Sequence, residues 1–425
     1  MNILVIGGGG REHAVIKAIK KNPEVTEIFA LPGNGGIAAD ATCVEIGAKD
    51  IDGIVDFAKS HAIDYAVVTP DDPLVLGCVD ALAAVGIPCF GPDRKAAIIE
   101  GSKAFSKNLM KKYGIPTAAY EIFDDMDAAI AYLDTVSYPV VVKADGLALG
   151  KGVIIAADHA EAVDAVRSMM ADKVFGASGD HVVIEEFLTG PEVSVLAFTD
   201  GKTLVPMVSS MDHKRARDND EGLNTGGMGT IAPNPYYTAD IAAACMETIF
   251  LPTMAAMNAE GRTFKGCLYF GLMLTPNGPK VIEYNCRFGD PETQVVLPLL
   301  ESDLLTIMQA VTEERLAEVE VKFAIDRAAC CVVMASDGYP AHYEKGFEIT
   351  IPDEIADSVY VAGAAIRDGK VVTSGGRVLG VTATADSLPA AIRAAYERVE
   401  RIHFENAYYR RDIGARALKA LQEKA

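Results

Sequence analysis

Short apolar runs and helical stripes alternate along the first hundred residues. The apolar runs are typical of strands buried on both faces of a parallel sheet, and they occupy residues 2–6, 27–31, 65–69 and 88–90. Apolar positions at helical spacing lie between them, at residues 11–22, 52–61 and 74–85. This alternation predicts an N-terminal doubly wound α/β domain with a parallel sheet that ends near Gly101.

The pattern after residue 101 no longer alternates in this way. Helices are predicted at residues 103–113 and 160–171, with strands at residues 140–143, 153–156 and 182–187. Short strands at residues 330–334, 360–365, 367–373 and 378–383 then precede a long helix at 388–401. We therefore expect three domains, 1–101, 102–325 and 326–425, of which the last is a small α+β domain.

Composition and charge restrict the class of protein. Half of the 425 residues are apolar and 23% are charged, as in an ordinary globular protein. The net charge of −20 argues against a nucleic acid or a membrane surface as partner, because phosphate binding needs a basic face. We expect a cytoplasmic protein, since no basic leader and no apolar stretch of about 18 residues is evident and the eight cysteines have no metal-type spacing.

A glycine loop follows the first strand and opens the first helix. Its sequence, Gly7-Gly8-Gly9-Gly10-Arg11-Glu12-His13, places backbone N–H groups where a phosphate or a carboxylate can bind. A dinucleotide fingerprint would need a third glycine where Glu12 or His13 stands, so a nicotinamide cofactor is disfavoured. The alternative is a tight strand–helix turn that binds no anion.

A second glycine-rich loop, residues 143–153, joins two apolar strands. It contains the lysines Lys143 and Lys151, and its glycines allow the backbone to approach a triphosphate closely. The loop leads into a strand and not into a helix, so it is not a Walker loop. A flexible hairpin with solvated lysines is the alternative.

Acids at the end of a strand form the next candidate. Glu185 and Glu186 end the predicted strand 182–187, and Glu192 follows shortly afterwards. Backbone groups at a strand end can bind the edge of an adenine, and a carboxylate can accept both ribose hydroxyls. Taken singly, such acids are more often simply solvated.

The segment 283–294 combines oxygen donors with a basic residue. Glu283 and Asn285 lie two residues apart and therefore on one face of a strand, which suits Mg²⁺. Arg287 and Asp290 follow in a stiff charged loop, and an arginine fork matches a carboxylate. A half-buried strand face without a metal is the alternative for the first pair.

Charge is also dense at Asp212-His213-Lys214-Arg215, before a polar loop that ends with Asn224-Thr225-Gly226-Gly227-Met228-Gly229. His213 is a candidate proton carrier, although a lone histidine is more often a structural residue that makes hydrogen bonds.

In this order, the segments resemble the ATP-grasp ligases, and among them the phosphoribosylamine–glycine ligase family. The most specific match is Arg287-Phe288-Gly289-Asp290-Pro291-Glu292. Further matches are Glu100-Gly101-Ser102-Lys103, residues 143–153, 212–215 and 224–229, and Arg411-Asp412-Ile413-Gly414. The resemblance implies a substrate-binding N-terminal domain, a central ATP-grasp fold with a mobile lid at about 118–190, and a small C-terminal domain.

The resemblance also implies an activity and roles for side chains. ATP, glycine and 5-phosphoribosylamine would give glycinamide ribonucleotide through a glycyl phosphate. ATP would be held by Lys103, Lys143, Gly146, Gly150, Lys151, Gly152, Glu185, Glu186, Leu188 and Glu192. Glu283 and Asn285 would hold Mg²⁺ or Mn²⁺. The implied catalytic residues are Arg287 for the carboxylate of glycine, Asp290 near the incoming amine, and Asp212, His213 and Lys214. The implied substrate-binding residues are Gly8, Gly9, Asp71, Gly289, Pro291 and Arg377.

Three other functions stay open at this stage. Another ATP-grasp ligase or carboxylase would use a different acid or amine. A nucleotide-binding sensor would bind ATP without amine-dependent release of ADP, and a dehydrogenase would bind a nicotinamide cofactor at the first glycine loop. We expect a monomer whose partners are small substrates, not a nucleic acid or a membrane.

Overall fold

The computed structural model describes residues 1–148 and 152–424. Its N-terminal sheet is parallel throughout, which confirms the predicted doubly wound domain. The strands, in spatial order, are Thr42–Cys43, Glu27–Pro32, Asn2–Gly7, Tyr65–Val68 and Cys89–Phe90. The helices are Gly10–Ile19, Ile51–Ser60, Asp71–Val75, Cys78–Ala84 and Arg94–Gly101, with a 3-10 turn at Ile37–Ala39.

The first strand shows why this sheet forms. Leu4 and Ile6 belong to one apolar core and Ile3 and Val5 to another, so alternate side chains of one strand fill the spaces on both faces of the sheet. The predicted single helix over 74–85 is wrong, because Gly77 takes the left-handed conformation at φ 89° and divides it into two.

The central sheet is antiparallel. Its strands, in spatial order, are Leu204–Pro206, Glu192–Thr199, Gly266–Thr275 and Gly278–Asn285. The helices of this region are Lys103–Tyr113, Ala239–Cys245, the π-helix Met246–Phe250, Leu251–Ala259, Thr293–Val296 and Leu304–Thr312. The last helix lies under the N-terminal sheet, where the hydroxyl of Tyr65 donates to the carbonyl of Met308 (2.8 Å). The N-terminal and central sheets therefore share cores.

The small sheet is a separate antiparallel unit with its own core. Its strands, in spatial order, are Tyr120–Phe123, Val182–Glu186, Val140–Ala144 and Val153–Ala156. Helices Met126–Leu133 and His159–Met170 cover one face, with a 3-10 turn at Gly176–Gly179. The strands predicted at 140–143, 153–156 and 182–187 are confirmed here.

The C-terminal sheet includes strands from the central part of the chain. Its spatial order is Met211–Asp212, Gly229–Ala232, Ala328–Ser336, Arg377–Ala385 and Val359–Val361, and Ala407–Tyr408 also pairs with Ala328–Ser336. Two hairpins project from it, Arg215–Arg217 with Glu221–Asn224 and Ala364–Arg367 with Lys370–Thr373. The helices are Leu388–Val399 and Ala415–Lys424, and further 3-10 turns are Asp218–Asp220, Leu297–Leu299, Leu316–Glu318 and Asp353–Ser358.

The single strand predicted over 360–365 is wrong. Ala362 and Gly363 separate two strands, and the N–H of Gly363 donates to the carbonyl of Arg377 (2.9 Å). The Cα of Gly375 lies so close to Gly363 that a Cβ on Gly363 would be 2.7 Å from it. The chain turns at this close approach, so the second half pairs in a hairpin instead of continuing the first strand.

Among the described residues, one helix, Ala239–Ala259, is long and apolar enough by length and composition to cross a membrane. The sequence prediction that no apolar stretch reaches this length is therefore wrong. The reason is that only Asp240 and Glu247 interrupt its 21 residues with charge. Ile249 and Phe250 of this helix are fully buried in the core that it shares with the central sheet.

Candidate active site

Lys143 connects the small sheet to the central sheet. It stands on strand Val140–Ala144, and its Nζ lies 3.0 Å from Oε2 of Glu185 on the neighbouring strand. The same Nζ donates to the carbonyl of Ile282 (3.1 Å), next to Glu283 in the central sheet. The side chains of Lys143 and Glu185 are each only 4% exposed, so this is a buried contact between the two sheets.

A second lysine, Lys107, approaches the same carboxylate. Its Nζ lies 3.2 Å from Oε1 of Glu185 and donates to Oγ1 of Thr117 (2.8 Å). Burial lowers the pKa of Lys107 to about 8, although Glu185 acts in the opposite direction. Two buried ammonium groups therefore share one carboxylate, which leaves an excess of positive charge at this point.

The start of the second glycine loop is attached to the helix Lys103–Tyr113. The Oδ1 of Asp145 accepts from the N–H of Ala104 (2.7 Å) and from the hydroxyl of Ser102 (3.0 Å). The Nζ of Lys103 donates to the carbonyl of Gly146 (3.0 Å). Burial lowers the pKa of Lys103, and Glu283 counteracts that effect. The predicted ligands Gly150 and Lys151 lie outside the described residues, and the carbonyl of Gly152 accepts from the N–H of Ala144 (2.9 Å).

The acids near the end of strand Val182–Glu186 have different partners. The Oε1 of Glu186 accepts from the N–H of Ala119 (3.1 Å) and lies 3.3 Å from Nζ of Lys280. Those hydrogen bonds outweigh partial burial and lower the pKa of Glu186. Leu188 is half-buried, and the exposed Glu192 lies 4.0 Å from Nζ of Lys214.

Glu283 lies among cations. Its Oε1 is 3.5 Å from Nζ of Lys214. Burial acts to raise the pKa of Glu283, but Lys214, Lys143 and Lys103 outweigh it and lower the pKa below its ordinary value. The carboxylate is therefore ionised at neutral pH.

Asn285 shares the strand face of Glu283, and the two pair with Tyr269 and Gly271 across the sheet. With its amide nitrogen turned inward, Asn285 donates to Oε1 of Glu100 (3.1 Å). Among the described residues, no group of three His, Cys, Asp or Glu side chains is arranged to hold a metal ion. A carboxylate and an amide oxygen on one face still fit a cation such as Mg²⁺, which takes few protein ligands and completes its shell with phosphate and water.

Arg287 is fixed by Glu100, a residue with no role in the sequence analysis. The Nη2 of Arg287 lies 3.0 Å from Oε1 of Glu100, and its Nη1 donates to the carbonyl of Phe288 (3.2 Å). The Nε of Arg287 is buried and has no hydrogen-bond partner among the described residues. Although burial acts against it, Glu100 and Asp71 raise the pKa of Arg287, so the guanidinium is always charged. An unpaired buried N–H beside a fixed charge is suited to an anionic ligand.

Asp71 also interacts electrostatically with this guanidinium. Burial acts to raise its pKa, but Arg287 and Arg11 lower it below the ordinary value. Arg11 comes from the first glycine loop, and its Nη1 donates to the carbonyl of Phe288 (3.3 Å). The N-terminal domain therefore contributes one carboxylate and one guanidinium to the surroundings of Arg287.

Asp290 and Arg377 form the far end of the candidate site. The Nη1 of Arg377 donates to the carbonyls of Asp290 and Gly226 (both 2.9 Å), and its Nη2 lies 3.5 Å from the carboxylate of Asp290. Burial acts to raise the pKa of Asp290, but Arg377 and Arg11 outweigh it and lower the pKa. Gly289 and Pro291 flank this aspartate, and the carbonyl of Gly289 accepts from Oγ1 of Thr293 (2.5 Å).

The first glycine loop faces Asp290, and a Cβ on Gly9 would lie 3.4 Å from its Oδ2. The N–H of Gly9 donates to Oε2 of Glu12 (2.6 Å), so one of the expected anion-binding donors is bound by the chain itself. The carbonyl of Gly8 accepts from the amide of Asn34 (3.0 Å). The loop is held in place, but its helix terminus is less open to an anion than the sequence suggested.

The three consecutive residues Asp212, His213 and Lys214 point in different directions. Asp212 and Lys214 line a small cavity together with Glu283. Burial and Glu292 raise the pKa of Asp212 well above its ordinary value. The structure does not bring His213 into this group, because its ring is 1% exposed and bonds to Gly229 and Gly414. The predicted proton carrier thus lies outside the cavity.

Contacts and charge interactions link Lys143 through Glu283 and Arg287 to Asp290 and Arg377. Three neighbours of this group were not predicted from the sequence. Glu100 stands in the segment 100–103 that resembles the family, but the sequence pattern indicates no role for its side chain. Lys107 follows Lys103 by four residues, and residues at that spacing share a helix face, which is a signal that could have identified it. Arg11 stands in the first glycine loop, whose backbone alone was considered.

Comparison with known proteins agrees with this geometry. Models of the N domain, the ATP-grasp (A) domain and the C domain of phosphoribosylglycinamide synthetase match residues 1–100, 101–293 and 329–416. The chain is 48% identical over 416 residues to a phosphoribosylamine–glycine ligase of Caldanaerobacter subterraneus subsp. tengcongensis, which covers 98% of this chain and 100% of that protein. It is 47% identical to a bifunctional purine biosynthetic protein of Pichia angusta, of which it spans 54% while 99% of this chain is covered.

A solved structure gives the same result. The crystal structure of phosphoribosylamine–glycine ligase from Thermotoga maritima superposes with a TM-score of 0.85 at 35% identity, and the match covers 97% of this chain and 100% of that one. The N-domain match spans the parallel sheet, and the ATP-grasp match spans the central and small sheets with two strands of the C-terminal sheet. The C-domain match spans the other strands of that sheet. The chain belongs to the phosphoribosylglycinamide synthetase family, with an ATP-grasp domain at its centre.

Proposed function

We propose that the protein is an ATP-dependent carbon–nitrogen ligase of purine biosynthesis. It joins glycine to 5-phosphoribosylamine through a glycyl phosphate and releases glycinamide ribonucleotide, ADP and phosphate. One observation carries the proposal: Lys143 of the small sheet contacts the strand of Glu283, so the lysines and the metal-type carboxylate face one cleft. The family match over nearly the whole chain supports the same activity.

ATP lies in the cleft between the small and central sheets in this proposal. Lys103, Lys107 and Lys143 supply positive charge for the phosphates, and Glu185 is buried between the last two. The glycine loop that includes Gly146 and Gly152 covers the triphosphate, and Gly150 and Lys151 belong to the same loop. The end of strand Val182–Glu186, including Glu186, binds the adenosine together with Leu188 and Glu192, which follow the strand.

Glu283 and Asn285 would hold Mg²⁺ or Mn²⁺ next to the phosphates. The lowered pKa of Glu283 keeps its carboxylate ionised and able to bind a cation. When bound, the cation supplies charge neutralisation at the phosphate oxygens during transfer.

Arg287 would hold the carboxylate of glycine. Its Nε is buried without a partner, while Glu100 binds the Nη2 of the fork, so this N–H would gain a partner when a carboxylate binds. A glycine oxygen placed there attacks the γ-phosphorus of ATP and ADP departs. The carboxylate thereby becomes an acyl phosphate, which is a far better acyl donor.

The amine of 5-phosphoribosylamine then attacks the acyl carbon, phosphate departs and one proton is released. Asp290 would lie near that amine, in the position where Arg377 and Arg11 keep its carboxylate ionised. Asp212 and Lys214 are assigned to the phosphoryl end of the cleft beside Glu283. The ribosyl phosphate would contact Gly8, Gly9, Asp71, Gly289, Pro291 and Arg377.

We propose that the chain acts as a cytoplasmic monomer with small-molecule substrates and without a nucleic acid or a membrane as partner. Its net charge of −20 supports the proposal that no nucleic acid is a partner. In this arrangement residues 1–101 bind the ribosyl substrate, 102–325 bind ATP with a lid at about 118–190, and 326–425 complete the site. The separate core of the small sheet supports a lid that moves as one body.

A coupled assay of ADP release, with each substrate omitted in turn, tests the function. We expect release only when ATP, glycine and 5-phosphoribosylamine are all present, and mass spectrometry should identify glycinamide ribonucleotide. A different acid or amine that supports release better would instead favour another ATP-grasp ligase or a carboxylase. Binding of ATP without any release would favour a sensor.

A further inference from the structure

The largest fully buried side chain of the described residues is an arginine, Arg410, which is 1% exposed. Its Nε and Nη2 donate to the two oxygens of Asp412 (both 2.8 Å). Its Nη1 donates to the carbonyl of Arg215 and to Oδ1 of Asp220 (both 3.1 Å). A buried charge of this kind is costly unless every contact is made, so its position in the fold calls for an explanation.

The contacts of Arg410 link two distant parts of the chain. Asp412 also accepts from the N–H of Asn219 (2.9 Å), and Asp218 accepts from the N–H of Arg411 (2.8 Å). The C-terminal segment 410–414 is therefore bound along the hairpin that follows Lys214. The motif Arg411-Asp412-Ile413-Gly414 was part of the family resemblance, and the proposed chemistry gives it no role.

His213 is bound by the same segment. The N–H of Gly414 donates to its Nε2 (3.1 Å), and its Nδ1 donates to the carbonyl of Gly229 (3.0 Å). Burial lowers the pKa of His213 to about 4, with Arg416 and Arg410 acting in the same direction, so the ring is neutral and makes both hydrogen bonds.

Because its backbone is extended, segment 212–215 contacts the cavity of Glu283 on one side and the C-terminal segment on the other. Side chains alternate between the two sides of an extended chain, so Asp212 and Lys214 point one way and His213 points the other. Asp212 and Lys214 line the cavity of Glu283, whereas His213 and the carbonyl of Arg215 face the C-terminal segment.

We propose that Arg410 and His213 are positioning residues, which hold segment 212–215 against the C-terminal segment so that Lys214 stays beside Glu283. Lys214 is 39% exposed and long, so side-chain packing alone does not fix its ammonium group 3.5 Å from the carboxylate. The backbone on both sides of Lys214 is fixed instead. This inference rests on the proposed function, because it assigns Lys214 to the reaction.

A double-mutant cycle tests the inference in the full-length protein. The hydrogen bonds of Arg410 to Asp412, Asp220 and the carbonyl of Arg215 form a clamp, which Arg410→Met removes. We expect kcat to fall by about 10-fold to 100-fold, because misplacing a reacting group by about 1 Å has effects of that size. The KM for ATP and for glycine should change by less than about threefold. In a Lys214→Ala background, Arg410→Met should have almost no further effect on the rate, since the group that it positions is already absent.

Arg411→Met is the matched control, because that side chain packs over the ring of Tyr409 while only its backbone joins the clamp. It should keep wild-type kcat. Single-turnover formation of ADP with enzyme in excess makes slow variants measurable, and thermal unfolding is recorded for each variant. If Arg410→Met does not fold, Asp412→Asn, which keeps the shape of the clamp but weakens it, enters the same cycle.

Equal rate losses from the clamp variant in both backgrounds would overturn the inference, and so would a loss confined to thermal stability with kcat unchanged. A wild-type protein that shows no turnover with glycine and 5-phosphoribosylamine would instead refute the proposed function. The two failures are therefore distinguishable.

Discussion

Arg287→Ala should separate the binding of glycine from the binding of ATP. The guanidinium offers an unpaired Nε, and one further N–H at the same edge can complete a fork on a carboxylate. Each charge-assisted hydrogen bond contributes about 1.5–3 kcal/mol, so two of them give about 3–6 kcal/mol. At about 1.4 kcal/mol for each factor of ten, the KM for glycine should rise by about 10²-fold to 10⁴-fold. The KM for ATP should change by less than about threefold, because the lysines around Glu185 are untouched.

The same substitution has a second consequence, for stability. Glu100 is 8% exposed and pairs with Arg287, so the alanine variant leaves a buried carboxylate without its cation. Loss of one partner from a buried ion pair costs about 3–5 kcal/mol. Arg287→Lys restores a positive charge near Glu100 but not the planar fork. We expect it to recover most of the thermal stability and little of the affinity for glycine.

Steady-state release of ADP, with glycine and ATP varied separately, measures both constants, and differential scanning calorimetry measures stability. Arg401→Ala serves as the control, since that arginine is 46% exposed and its ion pair with Glu354 lies on the surface. Equal increases in the two KM values, or full recovery of glycine affinity in the lysine variant, would show that the fork does not bind the carboxylate.

Other expectations concern the metal, the ribosyl substrate and pH. Glu283→Ala should lower metal-dependent kcat by at least about 10²-fold, since it removes the carboxylate beside the phosphates; a wild-type response to Mg²⁺ titration would reject the metal role. Arg377→Ala should raise the KM for 5-phosphoribosylamine by about tenfold or more while that for ATP stays within about threefold, and an unchanged KM for the ribosyl substrate contradicts the assignment. The pKa of His213 falls from 6.5 to about 4 on folding, so the unfolded chain takes up the proton first and stability is lost as pH decreases through this range. The loss amounts to about 3 kcal/mol, and His213→Gln should flatten that part of a plot of unfolding free energy against pH.

Local sequence signals predicted the elements whose first and last residues are set by neighbouring capping residues. The helix Lys103–Tyr113 was predicted at its observed limits, because Ser102 caps its first turn and Gly114 ends it in the left-handed conformation at φ 67°. Elements that depend on distant contacts were not predicted. The turn after Val361 results from Gly375 and Arg377 approaching the backbone, which no local pattern records.

In the candidate site too, local patterns predicted some positions and missed those that depend on distant contacts. The two-residue spacing of Glu283 and Asn285 was enough to place both on one strand face, since alternation is a local property. His213 stands in a charged motif that suggested chemistry, yet its partners are Gly229 and Gly414, and the second lies 201 residues away along the chain. Which side of an extended segment faces a cleft depends on packing, and a single sequence does not show it.

Strands Met211–Asp212 and Gly229–Ala232 belong to the C-terminal sheet although the chain reaches them more than ninety residues before its other strands, which begin at Ala328. The last hundred residues are therefore not a transferable module. A chimaera that exchanges only those residues with a relative would pair foreign strands with native ones, and an isolated C-terminal fragment would expose an open sheet edge prone to self-association. Productive crossover points must exchange the segment around 205–235 together with the C-terminal part.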